Sequence, residues 1–149
     1  MAKIAELKGQ TIVNISMETE EFYERGDSDE RNAKITQLNF HMESGDTYHM
    51  YHGQDCCEQV YIEEIVGDLG SLIGLPILEA EKASNGPKEI EGGYGGEEQW
   101  TFYKLGTNRG HVNIRWYGTS NGYYSMGVSF SKNTTKEWWS DDDDDEEGA

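Results

Sequence analysis

A ten-residue segment near the middle of the chain gathers the side chains best suited to metal or thiol chemistry. The segment His49-Met50-Tyr51-His52-Gly53-Gln54-Asp55-Cys56-Cys57-Glu58 contains two of the four histidines, both cysteines and two acids. These residue types could bind a metal ion, or a histidine could activate a cysteine as a nucleophile. An ordinary strand end explains them better, with one cysteine packed as a small apolar residue and with Asp55 and Glu58 capping backbone amides.

The spacing within this segment disfavours both chemical interpretations. Adjacent cysteines point to opposite sides of an extended chain, whereas paired zinc ligands are normally two to four residues apart. His49 and His52 likewise face opposite ways on a strand. The neighbouring acids disfavour a thiolate. We therefore expect neither a metal site nor a thiol catalyst, and His52 and Asp55 remain candidate ligand contacts.

A second segment, Arg115-Trp116-Tyr117-Gly118-Thr119-Ser120-Asn121-Gly122-Tyr123-Tyr124, concentrates aromatic residues around a turn sequence. If the flanking strands pair as a hairpin, the rings gather at one end beside an arginine. Rings that stack a base, next to a guanidinium that pairs a phosphate, suit a nucleotide pocket. Cross-strand aromatic packing alone, with Trp116 and Tyr124 on one face, explains the same pattern. The candidate ligand contacts here are Arg115, Tyr117, Asn121 and Tyr123.

The length and composition are those of a soluble cytosolic protein. A chain of 149 residues corresponds to about one domain. The first residues form no signal peptide, and no run of 18 apolar residues occurs. Adjacent cysteines cannot provide a disulfide framework, so we expect both thiols to be reduced. The expected location is the cytoplasm of the host cell.

The net charge of −17 is distributed unevenly along the chain. Asp141 to Glu147 are seven consecutive acids, which repel one another and offer nothing to bury. We therefore predict one β-rich domain over residues 1–139 and a disordered acidic tail over 140–149. The domain itself is acidic, which argues against direct binding to nucleic acid. It permits a basic protein partner, or a small anion in one local pocket.

Apolar residues recur mostly with a period of two, which predicts a mainly β protein. We expect an antiparallel sheet folded as a sandwich or half-open barrel, with one or two short helical turns. The turn sequence Glu43-Ser44-Gly45-Asp46 predicts a tight hairpin. Asp68 is the expected cap of a helical turn. The predicted strands are 11–17, 33–42, 47–52, 60–65, 77–83, 99–105, 111–117 and 123–131. Helical turns are predicted near 4–8 and 68–73. A loop is predicted at 84–98, and its residues 92–96 are rich in glycine.

An ordered series of motifs resembles a family of small proteins of unknown function from bacteriophages and prophages. The resemblance spans roughly residues 36 to 130 and implies a phage setting, in which short accessory genes often act against host defences. It brings no activity and no catalytic residue. The motifs are Tyr51-His52-Gly53-Gln54-Asp55-Cys56-Cys57-Glu58, Val60-Tyr61-Ile62-Glu63-Glu64-Ile65, Gly67-Asp68-Leu69, Leu72-Ile73-Gly74, Pro76-Ile77-Leu78, Trp100-Thr101-Phe102-Tyr103-Lys104, Ile114-Arg115-Trp116-Tyr117-Gly118 and Ser120-Asn121-Gly122-Tyr123-Tyr124-Ser125.

These observations lead to one main functional hypothesis and two alternatives. The chain has no Ser-His-Asp order, phosphate loop or metal-binding helix, so we expect a non-catalytic protein without a cofactor. The main hypothesis is a phage anti-defence protein that sequesters a nucleotide-derived immune signal. The alternatives are a protein-binding inhibitor with an acidic, nucleic-acid-mimicking surface, and a weak hydrolase using His52, Asp55 and Glu58.

Exposed aromatic side chains also predict self-association. Tyr117, Tyr123, Trp138 and Trp139 would form an apolar surface unusual for a monomer, and symmetric pairing is the simplest way to cover it. We therefore expect a homodimer or higher even oligomer, with the aromatic hairpin at or near the interface.

Overall fold

The structure, a computed structural model, describes residues 2–23, 31–53, 58–90, 96–121 and 125–133. Within these ranges the chain is mainly β, as predicted, with eight strands and two short 3₁₀ helices at Ile4–Leu7 and Leu69–Leu72. The strands are β1 (Ile12–Tyr23), β2 (Arg31–Met42), β3 (Thr47–Tyr51), β4 (Gln59–Val66), β5 (Glu79–Glu89), β6 (Glu97–Thr107), β7 (Gly110–Ser120) and β8 (Ser129–Lys132).

All eight strands belong to one antiparallel half-barrel in the order β5-β6-β7-β4-β2-β3-β8, with β1 paired to β2. Strand β2 has three partners. It pairs with β1 along its length, with β3 over residues 37–41, and with β4 at Ile35↔Ile62. Its neighbours β3 and β4 therefore diverge from the same edge, which forms a fork in the sheet.

The N-terminal segment crosses the open side of the half-barrel. The backbone N–H of Ala2 donates to the carbonyl of Phe130 in β8 at 2.9 Å. At the other end of the segment, Gly9 donates to Ile77, just before β5, at 2.8 Å. Ile4 and Leu7 of the 3₁₀ helix point into the core and are buried. The segment therefore spans the two ends of the strand path.

The concave side of the sheet holds the apolar core. Along β7, the buried residues Val112, Ile114 and Trp116 alternate with more exposed ones, as expected for a strand with one buried face. Trp116 is 1% exposed, and its indole N–H donates to the sulfur of Met50 at 3.2 Å. The packing function predicted for Trp116 is therefore confirmed.

Several local predictions are confirmed. The turn Glu43–Asp46 joins β2 to β3, and Gly45 adopts a φ of 98°, a conformation that glycine tolerates best. The Asp68 carboxylate accepts a hydrogen bond from the N–H of Gly70 at 2.9 Å and so caps the helix Leu69–Leu72. The first strand begins near the predicted position but extends to Tyr23, because β2 continues to pair with it as far as Arg31.

The predicted hairpin after β7 is wrong. Both edges of β7 are already occupied, by β4 on one side and β6 on the other, so it cannot pair with the segment that follows. Within the predicted strand 123–131, residues 125–128 are not strand, and the strand at its end, Ser129–Lys132, pairs with β3 instead. Tyr123 and Tyr124 lie outside the described residues.

The boundaries of the fifth strand were also predicted incorrectly. Strand β5 runs from Glu79 to Glu89 and thus covers part of the predicted loop 84–98. Its polar second half is strand because it pairs with β6 as far as Glu89↔Glu97. Such a half-exposed edge segment lacks the apolar alternation by which strands are identified. Residues 92–95 of the predicted glycine-rich loop lie outside the described residues, as do Cys56, Cys57 and the predicted acidic tail.

Candidate functional site

A cavity of about 680 Å³ lies where β5 and β8, the two ends of the strand path, approach each other. We call it the seam cavity. Strand β5 contributes Ala80, Glu81 and Lys82, β6 contributes Tyr103, and β8 contributes Phe130. Residues 2–5 of the N-terminal segment complete the wall. The cavity is therefore built from parts of the chain that are distant in sequence and meet only when the sheet curls.

Lys82 links the two sides of the seam cavity. Its ammonium donates to the backbone carbonyl of Val128 at 3.2 Å, which ties β5 to the segment entering β8. The same nitrogen lies 5.8 Å from the centre of the Tyr103 ring, within the range of a cation–π interaction. Lys82 therefore places a positive charge directly at an aromatic wall of the cavity.

Tyr103 gives the cavity a buried polar group that the fold does not use. The residue is 1% exposed, and its hydroxyl has no hydrogen-bond partner in the part of the chain that the structure describes. Burial raises the pKa of Tyr103 far above its usual range, so the hydroxyl keeps its proton and remains a donor. An unpaired buried hydroxyl costs about 1–3 kcal/mol.

Two of the predicted contacts, Arg115 and Tyr117, lie on the outward face of the sheet rather than at the cavity. The Arg115 guanidinium is held by Glu63 at 2.8 Å and by Glu64 at 2.7 Å. The Tyr117 hydroxyl donates to Glu98 at 2.9 Å, and burial, with this carboxylate as a smaller cause, raises the pKa of Tyr117. A phosphate group at Arg115 would have to compete with two carboxylates.

The other predicted contacts do not join Arg115 and Tyr117 in one described cluster. Asn121 is exposed immediately after β7, and His52 follows β3. Asp55 and Tyr123 lie outside the described residues. The six residues therefore stay a prediction as a ligand site. Among the described residues, no three histidine or acidic side chains come close enough to hold a metal ion.

His52 forms a buried pair with Glu58 at the fork between β3 and β4. The imidazole Nε2 lies 2.8 Å from a Glu58 carboxylate oxygen, and the two side chains are 5% and 0% exposed. The other ring nitrogen, Nδ1, lies 2.7 Å from the carbonyl oxygen of Gly127, so it carries a hydrogen and donates it. The pair thus anchors the segment that leads into the cavity wall at Val128.

A polar network covers the outward face of β1, β2 and β3. His49 Nδ1 lies 2.7 Å from the side-chain oxygen of Asn39, and the Asn39 amide donates to Ser16 at 3.2 Å. Ser16 in turn lies 3.0 Å from His41 Nε2. Burial lowers the pKa of His49, although the nearby Glu18 carboxylate opposes this shift. Burial therefore favours a neutral His49 in the folded protein.

Comparison with known proteins identifies the family but no function. Residues 5–130 match a family described as a domain of unknown function, DUF7448. The chain belongs to this family. No curated protein and no solved structure matches the chain. No helix within the described ranges is long and apolar enough to cross a membrane.

The DUF7448 chain shows why sequence reasoning missed the cavity residues. Lys82 and Tyr103 occupy ordinary strand positions, and neither lies in a motif of reactive residues. Phe130 and the N-terminal segment reach the same cavity only because the sheet curls. By contrast, the proximity of His52 and Glu58 was foreseeable, since six residues separate them and both were considered together as candidate hydrolase residues.

Loss of the buried pair should destabilise the protein. Glu58→Ala would leave the His52 imidazole buried without its carboxylate partner, and we expect the free energy of unfolding to fall by roughly 3 kcal/mol. Chemical denaturation monitored by circular dichroism measures this change. Glu64→Ala, which removes a carboxylate from an exposed ion pair, is the matched control and should cost less than about 1 kcal/mol. Equal losses in both variants would contradict the structural importance of the pair.

The lowered pKa of His49 predicts that stability decreases in acid. Below about pH 6.5, the unfolded chain binds a proton at this residue that the folded chain resists, so the free energy of unfolding falls as the pH falls through the folded pKa. Denaturation at about pH 7.5 and about pH 5.5 measures the difference. His49→Gln should reduce that difference. An unchanged difference in His49→Gln would refute the prediction.

Proposed function

We propose that this DUF7448 protein is a non-catalytic phage accessory protein that binds a nucleotide-derived immune signal and withholds it from its effector. The site is the seam cavity rather than the aromatic segment around Arg115. The phage setting rests on the resemblance of the motifs to phage and prophage proteins, and the proposed location is the host cytoplasm. Sequestration requires a pocket and adequate affinity, and no reacting groups.

The dimensions of the cavity support a ligand of nucleotide size. A volume of about 680 Å³ lies within the range of roughly 300–1,000 Å³ that is typical of small-molecule sites. Its walls are mainly apolar, with Ile4, Ala80 and Phe130 among them, and Tyr103 supplies an aromatic ring. Such walls suit a flat base, which is bound by contact with apolar and aromatic surfaces.

The observation that carries the proposal is the unsatisfied hydroxyl of Tyr103, a residue of the cavity wall whose ring centre lies 5.8 Å from the Lys82 ammonium. A neutral donor and a cation at one wall are complementary to an anionic oxygen, such as that of a phosphate. Lys3 adds a second cation to the lining, against one carboxylate from Glu81. These lysines stand out because the chain as a whole carries a net charge of −17.

Calorimetry tests the proposal directly. The full chain is titrated with cyclic dinucleotides, cyclic trinucleotides and cyclic ADP-ribose isomers, and the bound compound is then recovered after denaturation of the protein. Submicromolar binding with recovery of the intact compound supports sequestration. Release of a cleaved product would instead support the hydrolase that uses His52, Asp55 and Glu58. The absence of binding by every compound would overturn the proposal.

Tyr103→Phe separates ligand binding from folding. The variant removes only the unpaired hydroxyl, so we expect stability to remain unchanged or to rise by up to about 1 kcal/mol. Affinity for a compound bound by the full chain should fall roughly tenfold, because a buried hydrogen bond to the ligand is lost. Calorimetry and chemical denaturation measure the two effects.

Tyr117→Phe is the matched control, since it deletes the same atom from a tyrosine on the outward face. Its affinity for the ligand should equal that of the unmodified protein. If Tyr117→Phe weakens binding and Tyr103→Phe does not, the ligand binds at the predicted aromatic segment and the assignment to the seam cavity is wrong. Lys82→Gln and Lys104→Gln provide the same comparison for the positive charge, because Lys104 is absent from the cavity lining.

A further inference from the structure

The outward face of β4, β7 and β6 carries a row of aromatic side chains in contact. Tyr61, Tyr117 and Trp100 are directly opposite one another in the register of the three strands. The ring centres of Tyr61 and Tyr117 are 6.0 Å apart, and those of Trp100 and Tyr117 are 5.2 Å apart. All three side chains are half-buried. We call these residues, with the charged groups around them, the aromatic row.

The aromatic row already contacts cations of its own chain, at Tyr61 and, through Glu63, near Trp100. The Lys34 ammonium lies 5.2 Å from the centre of the Tyr61 ring, and Arg115 is held between the carboxylates of Glu63 and Glu64. The Glu63 carboxylate also accepts a hydrogen bond from the Trp100 indole at 3.2 Å. Carboxylates and ring faces together form the environment that stabilises a guanidinium or ammonium group.

Near Trp100 the row holds a further carboxylate, that of Glu98, which stands opposite Lys88 of β5 in the strand register but forms no ion pair with it. The Glu98 carboxylate accepts a hydrogen bond from the Tyr117 hydroxyl at 2.9 Å. Glu98 and Trp100 are two residues apart on β6 and therefore lie on the same face of the strand. No ion pair joins Glu98 to a lysine or arginine among the residues that the structure describes. The negative potential here is also evident at Tyr117, whose pKa is raised by burial and further by Glu98 and Glu63.

We propose that the aromatic row is a docking surface for a basic protein segment, with an arginine side chain of the partner bound between Glu98 and the rings of Trp100 and Tyr117. Charge complementarity selects this occupant over a second copy of the chain. A net charge of −17 attracts a basic protein at long range and repels another copy. Arginine is favoured over lysine because its planar guanidinium can stack on a ring while it pairs with a carboxylate. This proposal does not depend on the seam cavity.

Hexa-arginine and hexalysine peptides are the probes for this surface. Binding to the full chain is followed by calorimetry and by the NMR signal of the Trp100 indole N–H. We expect hexa-arginine to bind several-fold more tightly than hexalysine and to shift the Trp100 signal. Trp100→Ala and Glu98→Gln should each weaken hexa-arginine binding roughly fivefold, as expected for loss of a cation–π contact or one charge pair.

Matched controls distinguish binding at the aromatic row from general attraction by negative charge. Glu43→Gln removes one exposed negative charge at the β2–β3 turn, distant in sequence from the row, and should weaken binding less than twofold. Replacement of Asp141 to Asp145 by asparagine tests the acidic tail in the same way. The Glu98→Gln variant keeps an acceptor for Tyr117, so its fold should be unaffected, and circular dichroism checks this.

Three outcomes would overturn the proposal. The first is equal weakening by Glu98→Gln, Glu43→Gln and tail neutralisation, which would indicate attraction by net charge alone. The second is unchanged affinity of hexa-arginine for both Trp100→Ala and Glu98→Gln. The third is a homodimer in light scattering that Trp100→Ala dissociates, because a second copy would then occupy the row.

Discussion

The structure depends on one constraint, the sharing of β2 among three other strands. One edge of β2 pairs with β1, while its second edge pairs first with β4 at Ile35 and then with β3 from Gln37 to His41. The register between β1 and β2 shifts at Glu18/Thr19, opposite the point where the second edge changes partner. An extra residue at such a place bends a strand and increases its twist. The fork therefore directs β3 and β4 apart.

The remaining features follow from this divergence. On one branch, β4 is followed across the sheet by β7, β6 and β5, and on the other branch β3 is followed by β8. The branches curl towards each other, but β5 and β8 do not pair, and the gap is spanned by the Lys82 ammonium and by the N-terminal segment. The seam cavity lies in this gap. The buried pair of His52 and Glu58 fills the fork itself, where backbone groups of β3 and β4 no longer face each other.

The sequence predicts elements well where their signal is local. The turn at Gly45, the cap at Asp68 and the alternating burial along β7 follow from residue types a few positions apart. Pairing over long distances carries no such signal. The aromatic residues after Gly118 suggested a hairpin because adjacent strands commonly pair, but β4 and β6 occupy both edges of β7.

The absence of a local signal for long-range strand pairing also explains which site residues the sequence could and could not predict. Arg115 and Tyr117 were identified by residue type, and the structure adds that glutamates from β4 and β6 already bind them. Those glutamates could not be assigned without the strand order. Lys82 and Tyr103 have no distinguishing local pattern, and only the closure of the sheet makes them the walls of a cavity with an unsatisfied hydroxyl. Their chemistry is therefore a property of the tertiary fold.

The net negative charge of the molecule repels the ligand proposed for the seam cavity and attracts the ligand proposed for the aromatic row. An anion approaching the seam cavity meets repulsion from a net charge of −17 until it is close to Lys82, so its affinity must come from short-range contacts. A basic segment approaching the aromatic row is attracted from a distance and loses that attraction as salt screens it. Added salt therefore strengthens the first interaction relative to the second. Because the seam cavity lies between β5 and β8 whereas the row lies on the outward face of β4, β7 and β6, one chain can present the two chemistries at separate places.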